Sequence, residues 1–353
     1  MNKIVNRSIM PDAIRAYAII AMVAYHSSGA YIQFAYKAES RSWWLITDFI
    51  RTSTSNCVPL FVMLSGMMLL GKIEPISLFF RKRLGKVLLP FIAWIVLHLL
   101  YLIYIEGNTY SGLEIIKTIL KGPVYPHLWF IYMLIVLYLA TPILRFFCNN
   151  SGNQTLLYFI ILWAIGIGLV PIINKIYECE IYVPKIVAIS FVGYYVAGYY
   201  FKNLILSSKQ IMLASCGVMA LIVFSALAVD NLSVNGPKNQ LFFFIGFTRI
   251  NIMFFSFLSF LILKSIDYSK RRMLFFKKTI LFLSKTSFGV YLVHYVIIIS
   301  LRNGNMGFIV NKLDGDFLHP IPGIFLTFIV TMVASLILVS TLQCIPYVKR
   351  IVP

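Results

Sequence analysis

Apolar residues run along this chain in blocks of about twenty, separated by short polar segments. The blocks lie near 12–31, 50–70, 86–105, 127–147, 155–173, 185–201, 211–229, 247–266, 284–301 and 322–345. Crossing the hydrocarbon core of a bilayer takes roughly 20 mostly apolar residues in a helix. Each block therefore predicts a transmembrane helix, about ten in all. Bulky apolar side chains fall on every side of each block rather than along one stripe, as in lipid-exposed helices. Trp43 and Trp44 precede the second block and predict an interfacial anchor. With no long hydrophilic stretch between blocks, residues 1–353 predict a single transmembrane domain, an all-α polytopic helix bundle.

Composition agrees with the blocks. The chain is 60% hydrophobic and 12% charged, whereas a soluble domain carries about 25% charged residues. The net charge of +19 would suit a nucleic-acid binder, so its placement decides. Lys72, Arg81, Lys82, Arg83 and Lys86 fall between the second and third blocks. Lys264, Lys270, Arg271, Arg272, Lys277, Lys278 and Lys285 fall between the eighth and ninth. In an even-spaced count these segments share one side with Lys3, Arg7, Lys349 and Arg350. The opposite segments hold Glu106, Glu114, Glu178, Glu180, Asp230, Asp314 and Asp316. By the positive-inside rule the basic side is cytoplasmic, and so are both termini. The predicted partner is a lipid bilayer and not nucleic acid.

The first block follows Lys3 and Arg7 as a signal peptide would. Asp12 and Arg15 at its start, and the lack of a small-x-small cleavage site, predict a retained helix instead. Cys57, Cys148, Cys179, Cys216 and Cys344 form no CxxC pair and predict neither a metal site nor a disulfide framework. No internal repeat is evident, which counts against an inverted-repeat transporter.

The first block carries the ionisable residues of most interest. Arg15 and His26 are eleven positions apart, almost three whole turns, so both leave the same face about 16 Å apart along the axis. Asp12, one turn before Arg15, is placed to pair with it. Ionisable groups inside a membrane are costly and mark function by default, and a neutral imidazole near its ordinary titration range suits a general base. The bland alternatives are a snorkelling arginine and a packed histidine.

Other positions invite the same weighing. Arg83 and Lys86 stand one helical turn apart at the third block and can share a face, where they would bind phosphate; Arg81 and Lys82 read as topology signal alone. Ser65 and Gly66 permit close helix approach, and no G-x-S-x-G elbow makes the serine a nucleophile. His127 and Trp129 open the fourth block, where a bound substrate or the bilayer interface would account for them equally. Ser287, Tyr291 and His294 fall broadly on one face of the ninth block and predict groups turned into the bundle. Arg249 reads as snorkelling and His98 as structural.

Five strings occur in order: DAIRAYAIIAMVAYH at 12–26, CVPLFVMLSGMMLLGK at 57–72, FRKRLGKVLLP at 80–90, HLWFIYMLIVLYLATPIL at 127–144 and SFGVYLVHYVII at 287–298. In that order they resemble the acyltransferase-3 family of bacterial membrane proteins, from the first helix to the ninth. Among its members the chain is most similar to surface-glycan O-acetyltransferases of the enterobacterial common antigen type. The resemblance implies a ten-helix, multi-pass protein of the bacterial cytoplasmic (inner) membrane. It implies transfer of an acyl group, usually acetyl from acetyl-CoA, to a sugar hydroxyl of a glycan or lipid-linked sugar, with no bound cofactor or metal. Arg15 and His26 match the family's Arg and catalytic His, and both are expected in the catalytic machinery, His26 as the base and Arg15 to hold the donor or stabilise negative charge as it develops. The family's basic motif usually has two arginines three positions apart; here Arg83 matches the first and Lys86 replaces the second, keeping charge but losing the bidentate fork. Without the resemblance, a transporter or flippase for a lipid-linked glycan, or an assembly subunit of a glycan synthase, accounts for the same residues.

Overall fold

In the computed structural model, residues 8–29, 41–177, 181, 189–235, 243–303 and 319–353 are described. Lys3, Arg7, Cys179, Glu178, Glu180, Asp314 and Asp316 lie outside them. Among the described residues the chain forms thirteen α-helices and no strand. They are α1 (Met10–Ser27), α2 (Arg41–Thr54), α3 (Cys57–Leu69), α4 (Ile76–Tyr104), α5 (Gly112–Lys121), α6 (Trp129–Asn150) and α7 (Asn153–Trp163). A π-helical segment, Ala164–Leu169, joins α7 to α8 (Val170–Ile176); then come α9 (Ile189–Tyr200), α10 (Ser208–Asn235), α11 (Ile250–Ser265), α12 (Arg271–Arg302) and α13 (Pro320–Cys344).

Among the described residues, six helical stretches are long and apolar enough to cross a membrane by length and composition: Ile76–Tyr104, Pro126–Asn150, Asn153–Lys175, Ser208–Asn231, Phe275–Arg302 and Pro320–Cys344. The protein is therefore a multi-pass membrane protein. The other four apolar blocks fall on helices that are shorter, interrupted or more polar. α1 carries Asp12, Arg15 and His26 in its 18 residues; the second block is broken between α2 and α3; α9 has 12 residues and α11 has 16.

The basic segments expected as loops are helical. α4 begins at Ile76, after Pro75, and α12 at Arg271, so the Arg81–Lys86 and Lys277–Lys285 clusters ride on extensions of these helices. Lys and Arg are strong helix formers, and nothing at these positions stops the helix from running past the bilayer edge. A further helix is α5, whose signal is the Ser111-x-x-Glu114 capping box: the Ser111 hydroxyl accepts the Glu114 N–H, and the Glu114 carboxylate accepts the Ser111 N–H.

α1 does not face lipid all round, as its apolar pattern suggested. It packs against α2, α3, α11, α12 and α13, and the small residues Ala13, Ala16, Ala18 and Ala21 are buried. Small side chains let neighbouring backbones close in where lipid supplies no hydrophobic drive. Trp44 is also buried, against Val229 and Ile245, rather than standing at an interface. Its apolar ring finds more contact inside the bundle than at the surface.

The α3–α9 contact confirms the role expected of Gly66. A Cβ on Gly66 would overlap the Tyr195 carbonyl, and one on Gly198 would overlap the Met63 carbonyl. At the end of α3, Arg145 from α6 donates through Nε to the Leu69 carbonyl (2.9 Å) and through Nη2 to Glu74 (2.8 Å). A cation thus caps the orphan carbonyls and the negative end of the helix dipole. The Arg145 hydrogen bond holds the Glu74 carboxyl below its ordinary range.

Two outcomes follow. Gly66→Ala and Gly198→Ala should each lower the Tm of the detergent-solubilised protein by an overpacking cost of about 1–3 kcal/mol. Gly85→Ala, whose Cβ would enter open space, should not lower it. Because the Glu74 value is depressed on folding, its contribution is present above the ordinary carboxylate range and fades as pH falls below it. A Tm–pH curve for Glu74→Gln should run flatter than wild type on that acidic limb.

Candidate active site

α1 and α12 run parallel, pinned at both ends of their contact. At one end Arg15 Nη1 donates to Ser284 Oγ (2.9 Å) and reaches Asp12 Oδ1 (3.4 Å). Ser284 Oγ in turn donates to Asp12 Oδ1 (2.6 Å). The pairing of Asp12 and Arg15 expected from their spacing is present, and a serine from a distant helix joins it. At the other end the His26 ring meets His294, with centroids 5.1 Å apart.

Between these ends lies a cavity of about 580 Å³. Arg15 and His26 both line it, as their shared helix face required. From α1 it reaches from Arg15 to His26 and from α12 from Ser287 to Arg302. At about 1.5 Å per residue these walls are roughly 16 and 22 Å long, so the cavity is an elongated passage along the two helices. Ser287 and Tyr291 line it, as do His127 and Trp129 at the start of α6. Tyr291 donates to the His127 carbonyl (2.7 Å), tying α12 to that start.

Two of the expected positions are supports rather than walls. Asp12 is buried and holds Arg15 and Ser284. His294 is fully buried behind His26. Arg83 and Lys86 do not line the cavity. Lys86 is exposed and Arg83 half-buried. Ser65 lines the cavity while donating to the Phe61 carbonyl (2.9 Å).

Tertiary packing adds residues with no mark in the sequence. His98, expected to be structural, joins a buried run of rings: His26 to His294, then His127 at 5.3 Å, then His98 at 5.1 Å. Four of the chain's five histidines thus meet in one place. The His294 Nδ1–H donates to the Tyr291 carbonyl (2.7 Å) and the His98 Nδ1–H to the Trp94 carbonyl (2.6 Å). A carbonyl only accepts, so in the neutral rings each Nε2 is left as an acceptor. Arg51 and Arg302 also line the cavity. Arg51 lies over the Tyr25 ring (4.0 Å) and donates to the Tyr25 carbonyl (3.2 Å). The only anticipating signal was their charge inside apolar surroundings.

Chemically, the arrangement offers an imidazole and a cation at opposite ends of one aromatic-walled passage. It can take a long anionic ligand from the Arg15 end and a hydroxylated one near His26. The family profile described as an acyltransferase domain matches residues 10–340. Neither the curated proteins nor the solved structures contain a match.

The Asp12–Ser284–Arg15 cluster should be a stability element as well as a wall of the site. Asp12→Ala should destabilise the folded protein by about 1–3 kcal/mol, since it strands a cation. Ser284→Ala, which leaves the ion pair, should cost less. Denaturation curves in detergent would check the order.

Proposed function

The chain belongs to the acyltransferase family whose domain covers residues 10–340, and we propose that it transfers acetyl from acetyl-CoA to a hydroxyl of a cell-surface glycan or its lipid-linked precursor. The observation that carries this reading is the single cavity lined by both Arg15 and His26. A transporter would also need a passage, but the family is one of acyl transfer. The glycan class rests on the resemblance to surface-glycan O-acetyltransferases of the enterobacterial common antigen type.

In this reading the protein crosses the bacterial cytoplasmic membrane about ten times, with both termini cytoplasmic. The Arg15 end of the cavity then opens on the side where acyl-CoA is made. Arg15 and, outside the cavity, Arg83 and Lys86 attract the phosphates of the donor. Roughly 16 Å of helix separates Arg15 from His26, too far for Arg15 to touch the reacting carbonyl. Its role is to hold the donor, while the narrow thioester arm extends along the passage.

His26 takes the proton of the acceptor hydroxyl as that oxygen attacks the thioester carbonyl. The C–S bond breaks, the proton passes to the departing thiolate, and the products are the ester and free CoA. His294 positions the base by packing: its buried ring lies 5.1 Å from the His26 ring, centroid to centroid, and holds that imidazole against the cavity. His127, Trp129, Ser287 and Tyr291 shape the channel around the acyl group and the sugar.

With labelled acetyl-CoA and glycan, purified wild type should transfer label, and His26→Ala should abolish transfer while its Tm is retained. A His26→Ala protein with full activity sinks the assignment. His294→Ala should lower kcat by about 10–100-fold and leave KM for acetyl-CoA nearly unchanged; a purely structural role would move both or neither. Single cysteines placed at Lys72 and Lys349 should label from the same face of sealed vesicles.

A further inference from the structure

Among the described residues, three arginines and no carboxylate line the cavity. Arg15 stands at one end with its own acid, Asp12. The other two line the cavity away from Arg15: Arg51 from α2, three residues after Asp48 on the same helix, and Arg302 from the end of α12. Arg51 donates to the carbonyl of Tyr25, the neighbour of His26 in the chain (3.2 Å). Tyr295, which meets the His26 ring edge-on at 5.6 Å, lines the same cavity as both arginines. Arg302 is half-buried and makes no hydrogen bond or ion pair among the described residues. A cation in low-dielectric surroundings is costly without a counter-charge, and a guanidinium is built to receive carboxylate or phosphate by two parallel hydrogen bonds. Around the pair stand flat aromatic faces: Tyr295 stacked on His127 (4.9 Å) and Trp129 stacked on Phe247 (5.9 Å). Such faces suit the apolar side of a sugar ring, leaving its polar substituents to the arginines and histidines.

We propose that the His26 end of the cavity is an anion-recognising acceptor subsite, in which Arg302 and Arg51 bind a carboxylate or phosphate on the saccharide and so present its hydroxyl to His26. The inference rests on the acyltransferase reading. It adds to it a substrate class: an acidic glycan, or a sugar on a lipid diphosphate, rather than a neutral one. It also divides the three arginines by task. Arg15 serves the donor's phosphates, and Arg51 and Arg302 serve the acceptor's.

The test uses the full-length protein in nanodiscs with labelled acetyl-CoA and three acceptors: a glucose-terminated oligosaccharide, its glucuronate-terminated counterpart, and a polyprenyl-diphosphate-linked disaccharide. The expected result is transfer to one or both anionic acceptors with a KM at least about tenfold below that of the neutral one, the scale of a charge-assisted hydrogen-bond pair. Preference for the glucuronate would place the anion on the glycan, and preference for the diphosphate would place it on the carrier. Arg302→Gln should erase the preference, raising KM for the anionic acceptor without moving KM for acetyl-CoA, and Arg302→Lys should restore part of it. Equal use of neutral and anionic acceptors, or an Arg302→Gln protein that keeps the preference, overturns the subsite. So does acetyl-CoA binding with no use of any acceptor. Loss at the donor is separable: if acetyl-CoA neither binds nor raises the Tm, the acyltransferase reading itself has failed.

Discussion

A guanidinium between membrane helices is costly to leave without a counter-charge, and the way Arg15 is paired sets how two central helices meet. Asp12 lies one turn away on the same helix, and Ser284 on α12 bridges the two. That bridge gives α1 a defined register on α12. With the helices parallel, the register carries His26 to His294 and aligns Ser287, Tyr291 and Arg302 along the wall facing Arg15 and His26. A different partner for Arg15 would have shifted every later contact between the two helices.

Around that axis the packing relies on small residues more than on large ones. Alanines let α1 take a central place among five helices. Gly66 and Gly198 let α3 and α9 touch backbone to backbone. Lipid competes for apolar side chains as well as a neighbouring helix does, so close approach and polar ties are what hold such helices together. Such ties include Arg145 on the end of α3, Tyr291 on the start of α6 and Thr141 of α6 on Tyr195 of α9. This arrangement leaves room for a long cavity, since helices tied at their ends need not fill the space between.

The cavity turns this scaffold to chemistry by separating two charged ends with aromatic walls. In the reaction proposed above, the passage receives a donor with a phosphate-bearing head and a slender arm, and the acceptor meets its thioester near His26. The low-dielectric surroundings strengthen each hydrogen bond and charge contact that the arginines and histidines make. They also make tautomers matter: the carbonyls of Tyr291 and Trp94 decide which nitrogen of His294 and His98 is left to accept.

By itself the sequence determined that the protein is helical and membrane-embedded, because twenty-residue apolar blocks leave a backbone no other way to satisfy its hydrogen bonds in lipid. Helix periodicity determined that Arg15 and His26 share a face, that Asp12 reaches Arg15, and that Ser287 and Tyr291 turn inward. It also marked Gly66 as a contact point. Periodicity is a local property, so it is silent on which helix lies beside which. Only the tertiary structure brought Ser284 to Arg15, gathered His98 and His127 with His26 and His294, and set Arg51 and Arg302 on the cavity wall. It alone distinguished walls from supports, leaving His294 and Asp12 behind the surface and Arg83 and Lys86 outside the cavity. Each of those outcomes depends on contacts between residues far apart in the chain, which apolar block lengths and helical spacings do not encode.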